Sequence, residues 1–133
     1  MRKHCKFLFT LIFCLFTAIC FYSCEKTKPL DGTIWTGKTT IVDSYYGHYY
    51  NTEINIAFKE DNADIRLLVN CYGDITPIKG KSTYVCDKNN LSIKTTWNND
   101  WYLLHNTNWV GTFEKNTMTL KDVFGKTVEF AKQ

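Results

Sequence analysis

Glu53-Ile54-Asn55-Ile56-Ala57-Phe58-Lys59-Glu60-Asp61-Asn62-Ala63-Asp64-Ile65-Arg66-Leu67-Leu68-Val69-Asn70-Cys71 alternates apolar and polar residues on both sides of an acidic, turn-prone centre. A period of two puts successive side chains on opposite faces of an extended chain, so each half reads as a half-buried strand. Ile54, Ile56 and Phe58 face inward on the first strand, and Ile65, Leu67, Val69 and Cys71 on the second. Asp61-Asn62 reads as the two-residue turn between them, because Asn and Asp tolerate positive φ. That turn sets Phe58 opposite Ile65, Ile56 opposite Leu67 and Ile54 opposite Val69. A slip of one residue would send every side chain to the wrong face, so apolar-on-apolar pairing tests the assignment.

The same alternation recurs along the chain, and no window keeps a 3.6-residue apolar period. Residues 33–43 place Trp35, Gly37, Thr39 and Ile41 on one face. Residues 81–87 turn Tyr84 and Cys86 inward, and residues 91–97 turn Leu91, Ile93, Thr95 and Trp97 inward. Residues 109–114, 117–122 and 126–132 carry Trp109/Gly111/Phe113, Met118/Leu120 and Val128/Phe130. An Asn89-Asn90 turn places Cys86 opposite Ile93 and Tyr84 opposite Thr95. Lys115-Asn116 sets Phe113 against Met118 and Gly111 against Leu120. A Val123-Phe124-Gly125 loop sets Leu120 against Val128 and Met118 against Phe130. Residues 98–108 stay open: Trp101-Tyr102-Leu103-Leu104-His105 either starts the sixth strand early or forms an excursion before Trp109. About eight strands joined by tight hairpins predict an all-β, antiparallel up-and-down meander. Closing it into a small barrel removes the exposed edges.

Ahead of this domain, Arg2, Lys3 and Lys6 precede an apolar run over residues 7–22, and Ser23-Cys24 leads into polar sequence. A basic start, an apolar stretch and a small residue before the cut make a secretory signal. Phe21-Tyr22-Ser23-Cys24 resembles a bacterial lipobox, which implies cleavage after residue 23 and lipidation of Cys24. The alternatives are a plain signal peptide and an uncleaved anchor, for which about 20 apolar residues are needed. The expected organisation is therefore a signal over 1–23, a lipidated tether over 24–29 and a barrel over 30–133. Cleavage would lower the 16 Lys and Arg by three, to 13, equal to the 13 Asp and Glu. A neutral domain whose sequence shows no basic patch or long like-charge run removes the electrostatic case for nucleic acid, and no such partner is expected. Cys5, Cys14 and Cys20 would leave with the signal, so Cys71 and Cys86 remain as a pair in an oxidising compartment. If the loop containing Gly73, Pro77 and Gly80 closes symmetrically, the two face each other as a disulfide; the alternative is two buried free thiols.

Leu30-Asp31-Gly32-Thr33-Ile34-Trp35-Thr36-Gly37 opens the domain with a Gly-x-x-Trp motif, and residues 111–120 with 126–130 close it. On these segments the chain resembles small lipocalin-like (calycin-like) bacterial lipoproteins. The resemblance implies an eight-stranded barrel held at the cell envelope by an N-terminal lipid. Glu25 and Lys26 follow Cys24 without the Asp that retains some lipoproteins at the inner membrane, which points to the outer membrane. Large inward residues such as Trp35, Phe58, Trp97 and Trp109 leave two alternatives, a filled core or a small ligand cavity.

Catalytic chemistry has little to stand on. His48 and His105 lack further ligands at metal spacing, and Ser44, Ser82 and Ser92 lack a nucleophile elbow. No enzyme activity, metal or cofactor is expected. The suggestive surface is the loop carrying Tyr45, Tyr46, Tyr49 and Tyr50, with Trp97, Trp101 and Tyr102 around Asn98-Asn99-Asp100. In a meander the first and fifth connections fall at the same end, so the two groups could share a rim. Flat, amphipathic rings beside Asn and Asp suit sugar rings, peptides or small apolar ligands. Alternatively, these rings cap an open barrel end. The expected function is a monomeric envelope binding module; the alternative is a structural, interaction or inhibitor-type envelope protein with a filled core.

Overall fold

The computed structural model describes residues 28–42, 46–97, 108–121 and 126–133. The signal, Cys24, Tyr45, Trp101, Tyr102, the segment 98–107 and the Val123-Phe124-Gly125 loop lie outside the described residues. Eight strands follow in order: β1 (Ile34–Val42), β2 (Tyr49–Phe58), β3 (Asn62–Cys71), β4 (Asp74–Asp87), β5 (Asn90–Trp97), β6 (Asn108–Phe113), β7 (Thr117–Lys121) and β8 (Thr127–Lys132). Each pairs antiparallel with the next, and β8 returns to β1 to close the barrel. The predicted meander is correct.

Inward faces also match the alternation. Trp35, Ile54, Ile56, Phe58, Ile65 and Leu67 are buried among the fold's best-packed side chains. Full burial of such a side chain contributes about 1.5–3 kcal/mol. The chain ahead of β1 joins this core, because Leu30 is buried at the base of the barrel. Gly32 N donates to Phe58 O and Phe58 N to Thr33 O, at 3.0 and 2.9 Å. Trp35 Nε1 donates to Thr33 Oγ1 at 2.9 Å, and that hydroxyl donates to Leu30 O at 2.6 Å. The Gly-x-x-Trp motif thus folds its own N-terminal segment under the barrel.

Register agrees at two hairpins and shifts at two. Phe113 lies opposite Met118, Gly111 opposite Leu120, and Met118 opposite Phe130, as predicted. In the β2–β3 hairpin, however, Phe58 meets Ala63, Ile56 meets Ile65 and Ile54 meets Leu67. The turn is centred on Glu60-Asp61, one residue earlier than expected, with Lys59 N donating to Asn62 O at 2.8 Å. Tertiary contacts hold that choice. Tyr84 OH donates to the carbonyls of Lys59 and Glu60 at 2.6 and 3.1 Å, and Lys28 Nζ reaches Glu60 and Asp61 at 3.2 and 2.9 Å.

The β4–β5 hairpin is displaced in the same way, with Tyr84 opposite Ile93 and Cys86 opposite Leu91. Here Ser82 meets Thr95, and their buried hydroxyls pair at 2.8 Å. Gly80 meets Trp97, where an added Cβ would stand 2.8 Å from the ring. The observed register satisfies two buried polar groups and gives the largest ring a glycine to lie over. Both shifts are by two positions in the pairing, so no side chain changes face.

The expected Cys71–Cys86 disulfide is overturned. Instead of a long loop, β3 and β4 are joined by the tight Tyr72-Gly73 turn, which sets Cys71 opposite Asp74. Cys86 lies twelve residues farther along β4, opposite Leu91, or roughly 40 Å away at strand rise. A disulfide needs Cα atoms within about 7 Å. Both thiols are free and half-buried, at opposite ends of the barrel.

Two outcomes follow from these contacts. Burial chiefly, with the Asp31 charge next, holds the Tyr84 phenol above its ordinary value. Its contribution to stability is then complete below the ordinary tyrosine pKa of about 10 and is lost as pH rises through the native value. Tyr84→Phe should cost about 1 kcal/mol in urea unfolding at neutral pH and flatten the alkaline loss of stability; an unchanged alkaline limb would refute the turn clamp. Unreduced, unfolded protein should take up alkylating reagent at both Cys71 and Cys86. In the native state Cys86 should react slowly, because burial, then Asp87, pushes its thiol up.

Candidate functional site

Odd-numbered connections of a meander share one end, and here β1–β2 and β3–β4 bring their tyrosines together there. The β1–β2 connection passes Tyr46, Gly47 and His48 before β2 begins at Tyr49, so half of the expected loop is strand. Gly47 takes φ 67°, a left-handed conformation that glycine adopts without steric cost. In the β3–β4 turn Tyr72 and Gly73 have φ 55° and 95°. Positive φ at both central residues is the pattern of the type I′ hairpin, whose usual first residue is Asn or Asp. Asn70 Oδ1 supports the turn by accepting Gly73 N at 2.9 Å.

His48 forms the centre of the cluster. Its ring stacks 6.0 Å from Tyr46 and meets Tyr50 and Tyr72 edge-on at 6.3 and 5.7 Å. Tyr50 and Tyr72 meet at 6.1 Å. Tyr72 OH lies 2.6 Å from His48 Nδ1, with Tyr50 OH 3.4 Å from the same nitrogen. With the ring proton on Nε2, Nδ1 accepts the Tyr72 phenol and fixes its direction. Tyr46, Tyr49 and Tyr72 remain 70, 74 and 79% exposed, so the cluster presents rings to solvent rather than burying them. Tyr50, half-buried, packs down onto the core and joins rim to barrel.

Of the residues expected at the site, Tyr46 and Tyr50 enter this cluster and Tyr49 stands beside it at the start of β2. Trp97 closes β5 opposite Gly80, six residues along β4 from Asp74, and packs half-buried against the core. Tyr72 and the central role of His48 were missed. The alternation that makes Cys71 inward also ends at Tyr72-Gly73, and reading that pair as a turn would have found Tyr72.

Inside the barrel, Thr39 Oγ1 and Trp109 Nε1 are buried without a hydrogen-bond partner. Among the described residues, no group of three or more His, Cys, Asp or Glu could hold a metal ion. Comparison with protein-family models, curated proteins and solved structures returned no match to this chain.

Tyrosine at left-handed φ costs about 1–2 kcal/mol relative to residues suited to it. Tyr72→Asn supplies the preferred turn residue but removes the ring. Its melting temperature should equal or exceed that of the parent. A marked fall would identify Tyr72 as a packing residue of the rim.

Proposed function

We propose that this chain is a lipid-anchored binding module of the bacterial cell envelope, at the outer membrane, of the small lipocalin-like kind. Its tyrosine rim recognises a glycan. The carrying observation is the exposed ring cluster about His48, with Tyr72 kept in a strained backbone conformation. A strained bulky residue whose ring stays exposed suits recognition better than packing. Tyrosine offers a flat apolar face for a sugar ring, and its hydroxyl, with Asn and His neighbours, offers hydrogen bonds. Supporting the anchor are the basic start, the apolar run and Cys24. Trp109 Nε1 and Thr39 Oγ1 provide two further unpartnered polar groups inside the barrel.

Each stacked ring should contribute about 0.5–1.5 kcal/mol. Replacing Tyr46, Tyr49 and Tyr72 together by Ala should abolish binding detected on a glycan array and by calorimetry, while the melting temperature changes little. A large loss of stability without any binding phenotype would make the rings a cap. Globomycin should cause an unprocessed precursor to accumulate; release of mature protein without lipid would sink the anchor.

A further inference from the structure

The outer face of β3, β4 and β5 carries Arg66, Lys79, Lys81 and Lys94, all exposed. Arg66 lies directly opposite Lys79, and Lys81 follows two residues later on the same face. Lys81 is opposite Thr96, which makes Lys94 its diagonal neighbour on β5. Side chains directly opposite stand about 5 Å apart, and a like-charge pair there is destabilising. Two carboxylates, Asp64 and Glu53, share this face and offset part of that charge. Asp64, opposite Lys81, is engaged by Lys59 at 2.7 Å, and Glu53, diagonal to Arg66, accepts Asn55 Nδ2 at 3.2 Å. Where both partners are described residues, the ion pairs are made by Lys28 and Lys59 on the basic side. With Asp64 shared with Lys59 and Glu53 the remaining carboxylate, the four cations leave this face net positive in a domain whose mature charge would balance.

Next to this strip, the row Val85–Ser92–Val110 continues the same outer face, with Val85 71% and Val110 52% exposed. Between the cations runs a groove lined by Asn55, Thr96 and the carboxylate of Asp64, with apolar Ile34 and Ala57. Cations flanked by exposed aliphatic side chains match a bilayer surface, where phosphates meet the first methylenes. The tether makes that surface the nearest polyanion. From Cys24 to Lys28 the chain spans at most about 14 Å, so a lipidated barrel stays beside the headgroups.

We infer that the outer face of β3–β5 docks on an anionic lipid surface through Arg66, Lys79, Lys81 and Lys94. Docking rests on the envelope reading for its proximity to the bilayer and is independent of the tyrosine rim. It would lay the barrel on its side.

The test uses the full, lipidated chain in vesicles of phosphatidylcholine, with or without phosphatidylglycerol, and a water-soluble acetylating reagent read by mass spectrometry. With phosphatidylglycerol, Lys79, Lys81 and Lys94 should acetylate more slowly by about fivefold, while Lys121 and Lys132 are unchanged. High salt should remove the protection. Lys79→Glu should raise stability by ending the like-charge pair, yet weaken protection of Lys94. Equal rates in the two kinds of vesicle would overturn the inference, as would protection by soluble polyphosphate but not by vesicles. A chain that fails to float with phosphatidylcholine refutes the lipid anchor alone. Protection by added phosphatidylglycerol vesicles would still uphold the docking face, and its absence would overturn it.

Discussion

The structure depends on closing a ring of hydrogen bonds where β8 returns to β1. Among the described residues three pairs join β1 to β8, Trp35 with Lys132, Thr36 with Ala131 and Gly37 with Phe130. Closure spares the sheet two edges of unpaired backbone groups. It demands close approach, because a Cβ on Gly37 would lie 2.8 Å from both Glu129 O and the Phe130 ring. At Gly111 the fit is tighter still, with Thr119 O only 1.8 Å from an added Cβ. Glycine at these positions reflects the space between neighbouring strands rather than freedom of the backbone.

Given closure, the two barrel ends differ in character. At the base, Leu30, Trp35 and the Tyr84 hydroxyl bind the N-terminal segment and the β2–β3 turn into one packed unit. At the other end the β3–β4 hairpin continues six residues past the Gly80–Trp97 pair, to Asp74. The exposed rings of Tyr46, Tyr49 and Tyr72 are gathered at this end. The packed contacts and the exposed rings thus occupy opposite ends, and the strained Tyr72 turn lies far from the contacts that hold the fold.

Much of the fold was legible in the chain. Alternation identified the inward residues correctly, since Ile54, Ile93 and Leu120 are all buried. Local turn chemistry located the last two hairpins. It failed at Asp61-Asn62 and Asn89-Asn90, where the observed turns are centred one residue earlier. There the decision belongs to distant groups, the Tyr84 hydroxyl in one case and the Ser82–Thr95 pair in the other. The cysteine pairing failed for a related reason. Assuming a long loop after Cys71 hid the Tyr72-Gly73 turn and brought together two thiols that stand at opposite ends of the barrel.

By itself, the sequence determined which residues face inward and that the strands run as a meander. Period-two geometry and short connections are local properties of the backbone. Only the tertiary structure decided register, the seam and the union of His48 with Tyr72, 24 residues apart. Those depend on contacts between strands, such as a hydroxyl meeting a hydroxyl or a ring meeting a glycine, and such contacts exist only once the strands lie side by side.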